Sequence, residues 1–188
     1  MEQEPIHLRN VPWKAEIFDH PEFIASIAKW YRPNLFIEYG VKSGRATEKY
    51  APYCKKIIGV DIKMDMTPPP NMDFYEMSTR DFKTILNNMK DPVEMAFIDA
   101  DHKAEISFQD FEDLFSHLIE NGIIFIHDTF PCSSEWAHIN FCSDSWRVPA
   151  MIKEKYGKIC DVFTIPVQPG LTMVRKYTKP LEHLCEKN

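Results

Sequence analysis

With 188 residues, 22 basic against 28 acidic side chains and a formal net charge of −6, the chain is long enough for one domain with a full core. It is too acidic for a broad nucleic-acid-binding surface. The acidic start Met1-Glu2-Gln3-Glu4-Pro5 has no apolar signal core, and no apolar run approaches the roughly 20 residues that cross a bilayer. A cytoplasmic location without a membrane partner is therefore expected. The five cysteines, Cys54, Cys132, Cys142, Cys160 and Cys185, are odd in number and lack Cys-x-x-Cys spacing. That argues against a zinc knuckle or disulfide framework and for free thiols in a reducing compartment.

In chain order, residues 1–20 read as an N-terminal extension, with Pro12 and Trp13 as surface anchors. Phe23, Ile24, Ile27, Ala28 and Tyr31 recur at helical spacing and Pro21 suits a first turn, which predicts a helix over 21–31. Residues 35–38 are an apolar run ending in an acid, Glu38, and predict a strand. Gly40 and Gly44 follow as a Gly-x-x-x-Gly turn: Gly40 supplies an unusual backbone angle and close ligand approach, and Gly44 lets the next helix start close to the sheet. Residues 45–53 read as a short helix and 57–60 as a second strand, ended by Asp61. Residues 67–71, Thr-Pro-Pro-Pro-Asn, form a stiff loop. Residues 73–77 predict a third strand, and 81–89 a helix whose positive end Asp81 favours. Residues 93–98 are strand four. An amphipathic helix over 104–119 turns Phe108, Phe111, Leu114, Phe115 and Leu118 inward, with Asn121-Gly122 as its cap. Residues 123–126 are strand five. A helix over 148–156 ends at Gly157, and strands over 161–166 and 171–176 close the chain.

This alternation argues for an α/β fold with helices on both faces of a parallel sheet, and the closing strand pair adds one antiparallel member near the edge. The whole of residues 1–188 is expected to be one domain. Ligands in such sheets bind beyond the carboxyl ends of the strands. Glu38, Asp61, Ser78, Asp99 and Asp128 all fall there.

The Gly-x-Gly-x-x-Gly fingerprint of a dinucleotide loop is absent. An acid before the glycines repels a pyrophosphate and attracts an ammonium or sulfonium. That points to a cationic nucleoside without phosphate, of which S-adenosylmethionine is the common one. Glu38-Tyr39-Gly40-Val41-Lys42-Ser43-Gly44, between a strand and a helix, resembles the first motif of the class I S-adenosylmethionine-dependent methyltransferases. The resemblance spans roughly residues 21–176. It implies a Rossmann-like three-layer sandwich around a mostly parallel seven-stranded sheet. In that frame Glu38 holds the methionine end, which Gly40, Lys42, Ser43 and Gly44 line. Asp61 takes the ribose hydroxyls, Ile62 lies against the adenine, and Ser78 and Thr79 meet its edge. Asp99 is also within reach of the cofactor's ammonium. The alternatives are an NAD(P)-dependent Rossmann-type oxidoreductase and a non-catalytic binding protein of the same fold. The missing third glycine and Glu38 count against the first. The joint presence of Glu38, Gly40, Gly44, Asp61 and Asp99 counts against the second.

Strands four and five end in Phe97-Ile98-Asp99-Ala100-Asp101-His102 and Phe125-Ile126-His127-Asp128-Thr129. The pair resembles the small O-methyltransferases of catechols, caffeoyl-CoA and sugars, and their cephalosporin hydroxylase-like relatives. In several of these, an acid after strand four and an acidic or amide pair after strand five bind a divalent metal. Carried over, this implies Asp99, His127 and Asp128 as ligands of Mg²⁺ or Mn²⁺, with Asp99, His102 and His127 as the catalytic groups. Those relatives usually carry Asp-Asn where this chain has His127-Asp128. A histidine there shifts metal preference away from Mg²⁺, or serves as a general base. The implied activity is methylation of a small-molecule acceptor, at a hydroxyl. Residues 130–146 set Phe130, Trp136, His138, Phe141 and Trp146 among small polar residues. They suit an acceptor loop, or a contact within a homodimer.

Overall fold

The computed structural model describes residues 18–177. Most of the expected N-terminal extension, with Pro12 and Trp13, lies outside the described residues, as does Cys185. The elements are α1 (His20–Tyr31), β1 (Leu35–Tyr39), α2 (Arg45–Tyr50), β2 (Lys56–Asp61), β3 (Met72–Glu76) and α3 (Thr79–Asn88). They continue through β4 (Val93–Ile98), α4 (Ala104–His117), β5 (Leu118–His127), α5 (Val148–Tyr156), β6 (Cys160–Ile165) and β7 (Leu171–Lys176). One seven-stranded sheet runs β3-β2-β1-β4-β5-β7-β6. Strands β1 to β5 are parallel, and β7 is antiparallel to both β5 and β6. This is the expected Rossmann-like three-layer arrangement.

Strand alternation builds two cores. Leu35, Ile37 and Tyr39 of β1, with Ile58, Val60, Ala96, Ile98, Ile124 and Ile126, pack against Phe82 and Leu86 of α3, Phe111 and Leu114 of α4, and Val148 and Ile152 of α5. Phe36, Ile57, Met95, Phe97 and Phe125 face the other way, toward Ile24, Ala25 and Ala28 of α1 and Tyr50 of α2. Glu38 and His127 continue the second set by the same period, so both project to the α1 side of the sheet. No described helix is long and apolar enough to cross a membrane.

Several boundaries differ from the sequence reading for local reasons. Helix α3 starts at Thr79 because the Ser78 hydroxyl, not Asp81, caps it: Ser78 Oγ accepts from Asp81 N–H at 3.2 Å and donates to the Asp81 carboxylate at 2.7 Å. Helix α4 stops at His117, and Asn121-Gly122 does not cap it. Asn121 takes φ 62° inside β5, where the pairing to β4 shifts register between Val93 and Met95. The helix over 45–53 is split, with a 3-10 turn at Ala51–Tyr53. Phe111, Leu114, Phe115 and Leu118 are buried as the apolar row predicts.

Candidate active site

The five parallel strands end on one edge of the sheet, where a cavity of about 560 Å³ opens. Glu38, Gly40, Lys42, Ser43, Asp61 and Ile62 line one side, and Asp99, His102, His127 and Asp128 the other. A second cavity of about 390 Å³ adjoins it, sharing Asp61 and Ile62 and adding Ser78, Thr79 and Arg80. Gly40 makes the close approach of β1 and β4 possible. Its φ is 90°, and a β-carbon there would stand 2.2 Å from the Asp99 carbonyl oxygen. Gly44 serves differently from the expectation. It takes φ 69° at the amino end of α2, and the Met66 sulfur would lie 1.6 Å from a β-carbon there. The glycine makes room for Met66, not for the sheet.

Glu38 is 1% exposed, and its carboxylate accepts from the Thr47 hydroxyl at 2.5 Å. Burial raises its carboxyl to about 7 against that hydrogen bond, and the Asp99 and Asp61 carboxylates push the same way. Asp61 fastens the loop: its carboxylate accepts from Lys42 N–H at 2.8 Å and Lys63 N–H at 3.3 Å. Lys42 itself sits at φ 44°. Ile62 is 75% exposed between the two cavities, an open apolar face.

On the other side, His127 Nδ1 lies 3.0 Å from Asp99 Oδ1 and 3.4 Å from Asp128 Oδ2. His102 Nε2 lies 3.0 Å from Asp128 Oδ2 and 3.7 Å from Asp99 Oδ1. The His102 ring is aimed by its Nδ1–H, which donates to the Phe141 carbonyl. Ser145 fixes the same turn by donating to the His102 carbonyl at 2.7 Å. Asp128 is held at φ 59°, a conformation that costs a non-glycine residue energy and recurs at functional sites. Its carboxylate also accepts from the Cys142 thiol at 3.4 Å. Hydrogen bonding to Asp99 raises His102 to about 9 against burial, with Asp128 adding to the rise. Burial also opposes charge on His127, but Asp99 and Asp128 outweigh it and lift the ring to about 10. Burial favours a neutral Asp99, yet His127 and His102 hold its carboxyl well below the usual carboxylate range. The result is two carboxylates interleaved with two imidazoles, a set able to hold a cation or move a proton.

The family of the methyltransferase domain matches residues 37–129, from β1 through the end of β5 and both halves of this cavity. Residues 37–129 thus carry a methyltransferase domain, and the fold is that of the class I S-adenosylmethionine-dependent methyltransferases. No curated protein sequence matches the chain. Among solved structures, the O-methyltransferase TomG from Streptomyces achromogenes is 10% identical with a TM-score of 0.68, covering 93% of this chain and 91% of its own. An O-methyltransferase from Bacillus cereus is 12% identical with a TM-score of 0.65, over 92% and 84%. An rRNA methylase from Streptococcus thermophilus is 12% identical with a TM-score of 0.64, over 87% and 100%. The three share this chain's fold; two are described as O-methyltransferases and one as an rRNA methylase.

The fold brings most of the sequence-predicted site residues together. Gly44 is not among those lining the main cavity, and Ser78 spends its hydroxyl on the helix cap. Ser78, Thr79 and Arg80 line the adjoining cavity. Three contributors escape a sequence reading. Thr47 clasps Glu38 from α2, a spacing that also fits any helix residue. Cys142 reaches Asp128 from an irregular segment. His20 opens α1 and packs against His127, ring centroids 3.8 Å apart and tilted by 43°. Nothing in its local pattern marks it, because the contact is made by the packing of α1 on the sheet.

Proposed function

We infer that this methyltransferase carries the methyl group of S-adenosylmethionine to a hydroxyl of a small-molecule acceptor. The observation that carries the reading is the continuity of the main cavity. It joins the Glu38–Asp61 half, suited to a cationic nucleoside, to the Asp99–His102–His127–Asp128 half, suited to an oxygen nucleophile. S-adenosylmethionine supplies an electrophilic methyl on a sulfonium. Glu38, once ionised, sets a buried negative charge at the methionine end. Asp61 retains lone pairs for the ribose hydroxyls while it anchors Lys42. Ile62 supplies the apolar face for adenine, and Thr79 a polar edge.

Methyl transfer is an in-line displacement, so positioning supplies much of the acceleration. His102 takes the acceptor's proton at Nε2 from its neutral form, which reaches half of the molecules at about pH 9, and Asp128 and Asp99 stabilise the imidazolium formed. The Phe141 carbonyl keeps Nδ1 protonated and so leaves Nε2 as the basic atom of the neutral ring. Asp99, His127 and Asp128 would hold a divalent metal, Mg²⁺ or Mn²⁺. The fit rests on their mixed oxygen and nitrogen donors and on His127 Nε2, a buried ring nitrogen with no hydrogen-bond partner. Such a metal lowers the pKa of a bound hydroxyl.

The remaining readings accompany this one. Residues 130–146 form an acceptor loop: Trp136 and Phe141 pack at 4.8 Å, and Asp144 accepts from Ala104 N–H at 2.8 Å, which docks the segment over the β4–α4 turn. Residues 1–188 act as one domain in the cytoplasm, without a membrane or nucleic-acid partner, as a monomer or homodimer. The test is methyl transfer from labelled S-adenosylmethionine to a panel of sugars and catechols, with products located by mass spectrometry. O-methyl products that fall at least about a hundredfold with His102→Gln support the reading, a loss on the scale of general-base catalysis. N-methyl products, or turnover untouched by His102→Gln, would contradict it.

A further inference from the structure

We propose that His20 is a direct ligand of a divalent transition-metal cation, held together with His127 and Asp99. The inference deepens the metal part of the function proposed above and rests on it. Helix α1 delivers His20 to the strand-end edge, where its ring lies 3.8 Å from the His127 ring and 5.8 Å from the Phe97 ring, centroid to centroid. One ligand atom each from His20, Asp99 and His127 come within 4.8 Å of one another.

A second observation points to an electron-pair acceptor at this place. His20 Nδ1 and His127 Nε2 are both buried, and neither has a hydrogen-bond partner. Each orphaned polar atom carries a desolvation cost that no partner offsets. Two such nitrogens in adjoining rings are an expensive arrangement unless a cation replaces the proton at His127 Nε2 and takes a lone pair from each ring. Water would serve one or both of them as a donor. A metal cation serves both and also the adjoining Asp99 carboxylate.

The donor set identifies the class of cation. Mg²⁺ prefers oxygen ligands in octahedral geometry, whereas two imidazoles and one carboxylate suit Mn²⁺, Fe²⁺, Co²⁺ or Zn²⁺. Asp99 also belongs to a second group, with His102 and Asp128, whose ligand atoms meet the same 4.8 Å limit. That group is richer in oxygen. His20 is therefore the residue that biases the centre from Mg²⁺ toward transition metals, and it lies outside the strand-end motifs that otherwise form the site.

The test uses the tag-free full chain, as wild type, His20→Gln and His20→Phe. The phenylalanine keeps an aromatic ring for packing against Phe97 but has no lone pair. Co²⁺ binding is followed by visible absorption and calorimetry, Mg²⁺ binding by calorimetry, and S-adenosylhomocysteine binding and thermal melting report the fold. The expected result is one Co²⁺ per chain, bound more tightly than Mg²⁺. Both variants should weaken Co²⁺ by about tenfold or more, at least the loss caused by removing an outer-shell partner. Their Mg²⁺ affinity and S-adenosylhomocysteine binding should stay near wild type. Unchanged Co²⁺ affinity in the variants, or no Co²⁺ binding by wild type, overturns the proposal. Loss of the folded state in both variants also overturns it, since His20 is then a packing residue. Failure of wild type to bind S-adenosylhomocysteine speaks against the methyltransferase reading instead, and the Co²⁺ titration reads independently of it.

Discussion

Glu38 couples ligand binding, pH and stability in one residue. Its carboxyl is raised to about 7 from the ordinary 4.5, chiefly by burial. Holding it ionised therefore costs about 3 kcal/mol relative to an ordinary glutamate. The groups that face it are the Thr47 and Tyr50 hydroxyls from α2 and the Asp99 and Asp61 carboxylates, none of them positively charged. A bound ammonium or sulfonium supplies the positive partner and pulls the proton off. In the free protein about a tenth of Glu38 is ionised at pH 6 and about nine-tenths at pH 8, so the affinity for S-adenosylhomocysteine should rise about tenfold over that range. Close to one proton should leave per ligand bound at pH 6, and almost none at pH 8. Calorimetry in buffers of differing ionisation enthalpy measures both. The ligand's own amino group, beside a free carboxylate as in an amino acid, titrates above about pH 8 and bends the profile down only beyond that range. Glu38→Gln isolates this limb, because the amide has no proton to lose.

The stability sign is opposite. A carboxyl with a raised folded pKa favours the folded state while protonated, and stability falls as pH climbs from about 4.5 through 7. Unliganded Glu38→Gln should thus melt higher than wild type at pH 8 while binding S-adenosylhomocysteine more weakly. A flat affinity between pH 6 and 8 with no proton release would refute this account of Glu38, as would a variant both less stable at pH 8 and unimpaired in binding.

Thr47→Val removes the larger of the two hydrogen bonds, from Thr47 and Tyr50, that lower Glu38. The rising limb of the affinity profile should then move to higher pH, which the same titration detects. Asp61→Ala should weaken S-adenosylhomocysteine binding by about ten- to a hundredfold, the scale of one or two hydrogen bonds to a charged group. Its melting temperature should fall only modestly, since the carboxylate it removes ties Lys42 and Lys63 at a partly exposed site. Gly40→Ala should cost about 3 kcal/mol or more, from overpacking against the Asp99 backbone and a left-handed φ. Chemical denaturation reads that loss directly, and a near-wild-type midpoint would show that β1 and β4 can part without penalty.

The parts of the fold legible in the sequence are those governed by local pattern. Apolar runs closed by an acid marked β1, β2, β4 and β5, because parallel strands buried on both faces read as continuous apolar segments and their exposed ends face the ligand. The same rule brought Glu38, Asp61, Asp99 and Asp128 to one edge. Asn121-Gly122 was misleading because an αL asparagine serves a helix cap and a strand irregularity equally well. Asp81 looked like the start of α3 because both it and Ser78 favour a helix amino end, and only the hydrogen bonds decide between them. Asp110 carries no outward sign of burial, yet it is 2% exposed on the inner side of α4, and burial raises its carboxyl to about 7. His20 and Cys142 are contributions of tertiary packing, invisible until α1 and the 130–146 segment are laid on the sheet.

The measurement that bears most directly on the account is calorimetry of S-adenosylmethionine and S-adenosylhomocysteine beside NAD⁺, on wild type and Asp61→Ala. One site per chain is expected for both S-adenosyl compounds, in the micromolar range of about −8 kcal/mol, weakened by Asp61→Ala. No measurable heat is expected from NAD⁺. Binding of NAD⁺ in place of the S-adenosyl compounds, or binding indifferent to Asp61, would contradict the account.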